Sequence, residues 1–293
     1  MTYAAKIIAD SIAQDTRLTT MEVCFPRFIL AEFNTHRVFS RNSASSRAIP
    51  VEKRIAQVRE NPFVPEAFTK NQKGMQADVT LADAQQSTAE MIWRKAAENA
   101  CVEAEALAKL GVHKQHANRL LEPFVWHTVV VTSTEWENFF RLRTDKAAQP
   151  EMQIVAKLMR EAYEASEPRK LHMGMWHLPY VTDEEWAALD TLAYGTPNER
   201  DGWESLRRTY VYCSVVRCAA VSYERQDALR PLHEILVRHD NLAAAGHWSP
   251  FEHQAKVADR SQGELPRPGN FRPPWTQYRK TFEGESVWEG GEK

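Results

Sequence analysis

The chain has 293 residues, of which 43% are hydrophobic and 26% are charged, as in an ordinary soluble globular protein. Its formal net charge of −2 excludes the basic excess of a general nucleic-acid binder, so any anion site must be local. This length is long for one compact domain and short for two, and we expect a single elaborated domain over 1–293.

Neither a membrane segment nor a secretory leader is predicted. The sequence has no apolar run long enough for a membrane helix, and its N-terminus lacks the basic region and apolar core of a signal peptide. The four cysteines (Cys24, Cys101, Cys213 and Cys218) are scattered among apolar neighbours without a Cys-x-x-Cys pair. We interpret them as reduced core residues of a cytoplasmic protein.

The first predicted elements are two strands. The segments 6–12 and 17–33 are rich in β-branched and aromatic residues, which favours strands. A polar loop over 34–50 follows them and leads into a short helix over 51–58.

A loop, a long helix and a strand come next. Pro, Asn and Gly in 60–76 indicate a surface loop. The Ala- and Glu-rich segment 80–110 has helical spacing and predicts a long amphipathic helix that ends at Gly111. The apolar segment 124–133 predicts a strand.

Two helices follow this strand, over 134–143 and 150–165. The second has Pro150 near its first position and Glu151 in its first turn, which is a favourable helix start.

The last third of the chain is mixed. Residues 172–186 predict loop and turn, whereas 209–223 fits a helix or a strand. A helix with a glycine stop is predicted over 228–246, and an irregular tail over 262–293. This order of elements predicts an α+β fold with a central antiparallel or mixed sheet flanked by long helices.

The loop 34–50 is the most unusual segment, because it holds three arginines, one histidine and five Ser or Thr hydroxyls but no acid. Arginine binds phosphate through a fork of parallel donors, and hydroxyls and loop amides add more donors. His36, Arg37, Ser45 and Arg47 are therefore candidates for contacts with a phosphorylated ligand. The alternative is a solvated loop whose arginines pair with acids elsewhere. Neither a P-loop nor a Gly-x-Gly-x-x-Gly fingerprint is present.

Two further polar clusters also have structural alternatives. His113 and His116 are spaced i, i+3 with Arg119 three residues later, which allows a metal pair, but the lack of a third ligand on that face favours a polar helix end. Arg143 lies on an aromatic-rich helix, and a structural ion pair with Asp145 is the alternative to a ligand contact.

The segment GHWSPFEH over 246–253 contains two histidines, but the proline between them disfavours one helical face, and no metal site is predicted. Ser249, Pro250 and Glu252 fit instead an N-cap, a first helical position and a first-turn acid. Such a helix start offers free amides to a phosphate.

Taken together, these segments resemble the flavin-dependent thymidylate synthases, the ThyX family. The family signature of Arg-His-Arg, seven residues, Ser and then Ser-x-Arg is matched by Thr35-His36-Arg37, VFSRNSA and Ser45-Ser46-Arg47. Three other segments of this chain also match family motifs. They are GHWSPFEH, RLLEP at Arg119, and NFFRLRTDKAAQPEM. The segment VRCAAVSYE also resembles a family motif that usually lies early in the chain.

The resemblance implies a ThyX-like fold and the conversion of dUMP to dTMP, with FAD as cofactor and methylenetetrahydrofolate and NADPH as co-substrates. It implies no cysteine nucleophile, and Arg143 and Ser45 would be catalytic. The residues that it implies for dUMP are Ser45, Arg47, Arg119 and Arg143. Those that it implies for FAD are Thr35, His36, Arg37, Val38, Asn138, His247, Ser249 and Glu252.

The resemblance also implies a homotetramer whose active sites combine residues of several subunits, with small-molecule ligands and no nucleic-acid or membrane partner. The familiar members carry GHWSPFEH before the signature, whereas here it follows, so the chain looks circularly permuted. This layout resembles phage-encoded members of the family.

Three departures from the family pattern keep other functions open. Thr35 stands where the signature has its first arginine. Ser43 stands where the spacer often has an acid, and Glu32 stands where a glutamine usually precedes the signature. One alternative is a pyrimidine-nucleotide hydroxymethylase acting on dUMP or dCMP for modified phage DNA. Another is a non-catalytic nucleotide-binding member, and the last is a histidine-based metal hydrolase.

Overall fold

The computed structural model describes residues 1–74, 79–187, 200–223 and 231–286, without the side chains of 200–205. Its strands are β1 (Ala4–Ala13), β2 (Thr16–Pro26), β3 (Ser40–Ser43), β4 (Trp126–Ser133), β5 (Arg169–Lys170), β6 (Trp176–His177), β7 (Ala255–Val257) and β8 (Trp275–Gln277). Its helices include α1 (Leu30–Phe33), α2 (Val51–Glu60), α3 (Asp83–Lys109), α4 (Lys114–Ala117), α5 (Glu137–Arg143), α6 (Pro150–Ala165), α7 (Arg200–Ala220) and α8 (Leu232–Ala244).

Two sheets organise the described chain. The larger has the strand order β3-β4-β2-β1-β5, in which all neighbours are antiparallel except β1 and β5. The smaller has the order β6-β7-β8 and is antiparallel. The predicted α+β class with a mixed central sheet is therefore confirmed. Within the described residues, no helix combines the length and the apolar character needed to cross a membrane.

The hairpin of β1 and β2 forms because its two-residue turn, Gln14 and Asp15, adopts positive φ angles of 45° and 65°. Positive φ at both central residues gives a turn whose twist matches that of the flanking strands. This hairpin sets the register from which β4 and then β3 are added.

The main core lies between the larger sheet and α6. Met21, Val23 and Phe25 alternate along β2 and are completely buried, as expected for one face of a strand. Met152 and Met159 present the apolar stripe of α6 to that face. The predicted helix at 150–165 is confirmed, including Pro150 at its start.

The long helix α3 confirms the prediction for 80–110 and packs against α2. Ala97, Cys101 and Ala104 are its buried residues, and they join Ile55 and Leu121 in a second core. Cys101, Cys213 and Cys218 are buried, as predicted for core residues, whereas Cys24 is half-buried. None of the four forms a disulfide within the described residues.

The strand predicted over 17–33 is too long, because β2 ends at Pro26. Proline has no amide to extend a ladder, and the chain turns there into a 3-10 turn (Arg27–Ile29) and α1. The ambiguous segment 209–223 is helical up to Ala220. The short helix predicted from 51 is confirmed as α2.

The later predictions hold less closely. The helix predicted over 228–246 begins at Leu232, and its residues 228–230 lie outside the described part. The surface loop predicted over 60–76 is described only as far as 74. Within 172–186 the chain forms the short strand β6. The tail predicted to be irregular contributes β8, whose Trp275 is fully buried, while 287–293 lie outside the described residues.

A chain of buried hydrogen bonds joins the two sheets. Ser11 contacts His177 Nδ1 (2.9 Å), and His177 Nε2 contacts Thr20 (2.8 Å). The Thr20 and Thr132 hydroxyls lie 2.7 Å apart, and Thr132 contacts His253 Nδ1 at 2.8 Å. All five residues are at most 4% exposed.

These hydrogen bonds couple the protonation sites of His177 and His253. Burial lowers the pKa of His177 and of His253 to about 3, so both rings are neutral. Each threonine hydroxyl has one proton to donate, so the hydrogen bonds must all run in the same direction. His177 and His253 therefore carry their proton on the same ring nitrogen, either Nε2 in both or Nδ1 in both.

Replacing Thr132 with valine should lower the free energy of unfolding by about 1–3 kcal/mol, because His253 Nδ1 and the Thr20 hydroxyl lose their buried partner. Urea unfolding followed by circular dichroism measures this change.

Thr128→Val is the matched control, because Thr128 is half-buried on the same strand and its side chain has no hydrogen bond among the described residues. We expect a change within about 0.5 kcal/mol for the control. Equal losses of unfolding free energy in the two variants would contradict the role assigned to these buried hydrogen bonds.

Candidate functional site

The donor-rich loop 34–50 wraps around both ends of β3. His36 lies before the strand and Ser45 after it, and β3 pairs with β4 from Ser40 opposite Thr132 to Ser43 opposite Val129. Residues 36 and 45 are therefore held at opposite ends of a rigid edge strand.

Arg143 is the centre of the cluster before β3. Its Nε donates to His36 Nε2 at 2.9 Å, and one terminal nitrogen donates to the Thr35 hydroxyl at 3.0 Å. The other terminal nitrogen lies 3.8 Å from a Glu32 carboxylate oxygen. The alternative ion pair with Asp145 is not formed, since the Asp145 carboxylate accepts from the Ala147 amide instead.

The His36 imidazole is held neutral. Burial, together with the nearby positive charges of Arg143 and Arg41, lowers its pKa to about 4. Because Nε2 accepts the hydrogen bond from Arg143, the ring proton lies on Nδ1. A neutral imidazole thus fixes the orientation of a charged guanidinium.

Aromatic packing positions this pair. The His36 ring lies edge-on to Phe139 of α5, with 4.9 Å between ring centroids, and stacks with Phe39 at 5.7 Å. Phe139 is buried and anchors α5, so Arg143 one turn later is directed towards His36. Asn138 is on the same helix, where its side-chain oxygen accepts from Arg141 at 3.0 Å.

A second cluster lies after β3, around one carboxylate oxygen of Glu122. This oxygen accepts from Ser46 (2.6 Å) and Arg119 (2.7 Å) and lies 2.9 Å from Arg27. Two arginines share one acid, so the cluster keeps a net positive charge.

Ser45 and Arg47 flank this second cluster. Ser45 is half-buried and its amide donates to the Ser222 carbonyl at 3.1 Å. Arg47 is exposed, and within the described residues its guanidinium has neither a hydrogen bond nor an ion pair. An exposed guanidinium next to hydroxyls and a shared arginine is suited to bind an anion.

Asn42, in the middle of β3, connects the loop to the distant GHWSPFEH segment. Its side-chain nitrogen donates to the Cys218 carbonyl at 2.6 Å. Its side-chain oxygen accepts from Ser222 (3.1 Å) and Ser249 (3.2 Å). The two C-terminal motifs, VRCAAVSYE and GHWSPFEH, are thereby brought against the signature.

The GHWSPFEH segment does not begin a regular helix as predicted. Ser249–Glu252 form a single 3-10 turn, and Ser249 lies inside this turn without capping it. Its hydroxyl has turned to Asn42, which removes it from the backbone amides. Glu252 forms an ion pair with Arg279 and does not stand as a free acid.

His247 is exposed and lines a cavity of about 500 Å³ together with His233, Arg238 and Asn241.

His113 lies at the start of α4, where its Nδ1 accepts from the Gln115 amide at 3.3 Å. That contact agrees with the helix-end interpretation of the His113 cluster.

The structure brings the predicted site residues into separate groups. Thr35, His36 and Arg143 are in contact with one another. Ser45, Arg47 and Arg119 lie at the other end of β3, about 13 Å away if four residues rise about 3.3 Å each. Arg37 and Val38 are exposed between the first group and the strand.

The sequence did not single out Glu122, Asn42 or Arg279. Glu122 stands in the matched RLLEP segment and Asn42 in the matched VFSRNSA segment, so the motifs held a signal for both. Arg279 had none, because its partner Glu252 is distant along the chain and becomes its neighbour only after folding.

Comparison with known proteins identifies the family. The chain matches the family model described as "Thymidylate synthase complementing protein" over residues 13–169, which is more than half of its length. The chain therefore belongs to the thymidylate synthase complementing protein family, and the resemblance to ThyX proteins is confirmed. GHWSPFEH lies outside the matched residues. None of the curated proteins matches this chain.

Solved structures with some similarity include two of a UMP/dUMP methylase, PolB from Streptomyces cacaoi. The one bound with 5-Br UMP is 18% identical, with 55% of this chain and 88% of that chain covered and a TM-score of 0.46. The one bound with 5-Br dUMP is 20% identical, with 50% and 65% covered and a TM-score of 0.42.

Thymidylate Synthase X (ThyX) from Helicobacter pylori, solved with FAD and dUMP, is 18% identical, with 50% of this chain and 67% of that chain covered and a TM-score of 0.37.

The lowered pKa of His36 predicts a pH dependence of stability. The unfolded chain takes up a proton on this residue near pH 6.5, whereas the folded chain does so only near pH 4. The unfolded state thus binds more protons between these values, and the free energy of unfolding should fall as the pH falls from about 6.5 to about 4.

A His36→Gln variant lacks this proton uptake, so its unfolding free energy should fall less over the same window. Urea titrations of both proteins at several pH values test this, and the other buried histidines cancel because both proteins contain them. Parallel pH profiles would contradict the prediction.

Proposed function

We propose that the protein is a flavin-dependent thymidylate synthase, which methylates dUMP reductively to dTMP with methylenetetrahydrofolate as carbon donor and NADPH as reductant. Family membership supports the reaction class. The observation that carries the proposal is the pair of cationic groups that the signature residues form at the two ends of β3. One nucleotide has two features that need such groups, a phosphate and a polarisable pyrimidine.

The group after β3 is proposed to bind the phosphate. Arg47 has no acid partner among the described residues, and Arg119 shares Glu122 with Arg27, so both retain charge for a ligand anion. Ser45 adds a hydroxyl beside them. Forked guanidinium donors together with a hydroxyl match the oxygens of a phosphate.

Arg143 is proposed to act on the pyrimidine, and Arg143 and Ser45 are the proposed catalytic residues. C5 of uracil becomes nucleophilic when charge develops on a ring carbonyl oxygen, and a positioned guanidinium stabilises that charge. His36 and Thr35 hold two of its three nitrogens in place, so little reorganisation is needed when the charge develops. Neutral His36 does not compete with this positive charge.

FAD is the proposed cofactor, and when bound it would supply the hydride that completes the methyl group. The proposed contacts are Thr35, His36, Arg37, Val38, Asn138, His247, Ser249 and Glu252. Arg37 fits this role best, because it is exposed and has no partner among the described residues, as a diphosphate site requires. Val38 beside it is 40% exposed and offers an apolar contact.

The other members of the proposed FAD set fit less directly. His36 is buried beneath Arg143, so it would act by orienting that arginine. Glu252 is neutralised by Arg279, so its negative charge would not repel a diphosphate. Ser249 lies in the turn that its hydrogen bond to Asn42 holds against β3, and His247 lies two residues before this turn.

We further propose that the chain is one circularly permuted domain of phage type, acts in the cytoplasm and assembles as a homotetramer. The Asn42 contacts support the permutation, because they return GHWSPFEH to the signature despite its late position. The proposed ligands are small molecules, without a nucleic-acid or membrane partner.

A nucleotide hydroxymethylase is the second candidate, and one observation favours it. Of the three departures that motivate this alternative, Thr35 and Glu32 contact Arg143. The changed residues therefore gather at the group that would control the pyrimidine.

The reaction is tested by incubating the purified protein with FAD, NADPH, methylenetetrahydrofolate and either dUMP or dCMP. We expect flavin absorbance that bleaches with NADPH, and a product whose mass corresponds to dTMP. A product heavier by one oxygen would establish the hydroxymethylase instead. Tight dUMP binding without turnover under any reductant would leave only a nucleotide-binding protein.

The phosphate group is tested by Arg47→Ala. Loss of a charge-assisted hydrogen bond, about 1.5–3 kcal/mol, should weaken dUMP binding about 10- to 100-fold in calorimetry. Arg160→Ala is the control, since Arg160 is exposed on α6 and its one ion pair within the described residues is with Glu164. Unchanged dUMP affinity in the Arg47 variant would exclude Arg47 from the phosphate site.

A further inference from the structure

The outer face of α3 carries exposed apolar side chains around a polar centre, and the described residues leave it uncovered. Ile92 is 61% exposed, Val102 48% and Leu110 79%. Ala96 and Ala106 are exposed on the same face. At 3.6 residues per turn all five lie within about 60° of the direction in which Asn99 points. The opposite face of α3 packs on the second core, so the described chain covers one face of this helix and leaves the other exposed.

The outer face is self-complementary about Asn99. Ile92 and Ala106 lie seven positions on either side of Asn99, and Ala96 and Val102 lie three positions on either side. In each pair a large side chain is matched with a small one. Two copies of the helix placed antiparallel about a two-fold axis at Asn99 would therefore interlock large side chains with small ones.

The charges on this face favour the same arrangement. Lys95 and Glu103 lie four positions on either side of Asn99, both are exposed, and neither forms an ion pair within the described residues. Antiparallel pairing about Asn99 brings Lys95 level with Glu103 of the other copy, and it does so twice. Parallel pairing in register would bring lysine to lysine and glutamate to glutamate, which is repulsive.

We propose that the outer face of α3 is the docking surface for α3 of a second copy of this chain, arranged antiparallel with Asn99 at the two-fold axis. The two Asn99 amides meet on the axis, where a hydrogen bond between them would fix the register. This interface rests on the proposed homo-oligomer and is independent of the proposed reaction.

Charge exchange tests the interface. Lys95→Glu alone and Glu103→Lys alone each place like charges together, so each should raise the dissociation constant of the assembly at least about 10-fold in sedimentation velocity. The double variant, Lys95→Glu with Glu103→Lys, restores opposite charges and should recover assembly. If a second interface exists, each single variant should instead halve the assembled mass, with recovery in the double variant.

Cysteine cross-linking supplies the geometry. Asn99→Cys should form a disulfide between two copies under mild oxidation, whereas Lys109→Cys should not, because its two copies would lie about 30 Å apart. A wild-type chain that stays monomeric at every concentration would overturn the proposal, as would a double variant that fails to recover. Flavin and dUMP binding measured on the same samples shows separately whether the proposed function holds.

Discussion

The contact between Arg143 and the buried imidazole of His36 is the constraint on which the site depends. A guanidinium on a surface helix has many rotamers, and holding one of them costs conformational entropy. Here His36, Thr35 and the aromatic packing of α5 fix the orientation before any ligand arrives. Because burial keeps His36 neutral, the arginine keeps its charge without repulsion from its support. A preorganised charge of this kind stabilises charge that develops on a ligand more than a mobile charge does.

The strand β3 gives this constraint its geometry. It is short, yet it is paired with β4 and tied through Asn42 to the two C-terminal motifs. The signature residues on either side of it are therefore held at a fixed separation, one set around Arg143 and the other around Glu122. GHWSPFEH lies late in the chain, but it is positioned by the hydrogen bonds that Ser249 makes to Asn42 and His253 makes to Thr132.

Much of this was predictable from the sequence, because local patterns encode it. The β1–β2 pair and the helices α3 and α6 follow from residue type and spacing, as does the donor-rich composition of 34–50 that is suited to an anion. The strand β8 and the 3-10 turn at Ser249 were mispredicted, since tertiary contacts decide them. The end of β2 at Pro26 was also mispredicted, although its cause, the missing amide of proline, is local. The sequence also did not predict His36 as the partner of Arg143, because Asp145 is nearer in sequence whereas His36 contacts Arg143 only in the folded chain.

In the proposed function, Arg143 acts on the pyrimidine and not on the phosphate. Measuring the affinities of dUMP and of deoxyribose 5-phosphate for the wild-type protein and for Arg143→Gln tests this directly. The variant should bind dUMP about 10-fold or more weakly and bind the sugar phosphate as the wild type does. Equal losses for the two ligands would contradict it, because they would place Arg143 at the phosphate.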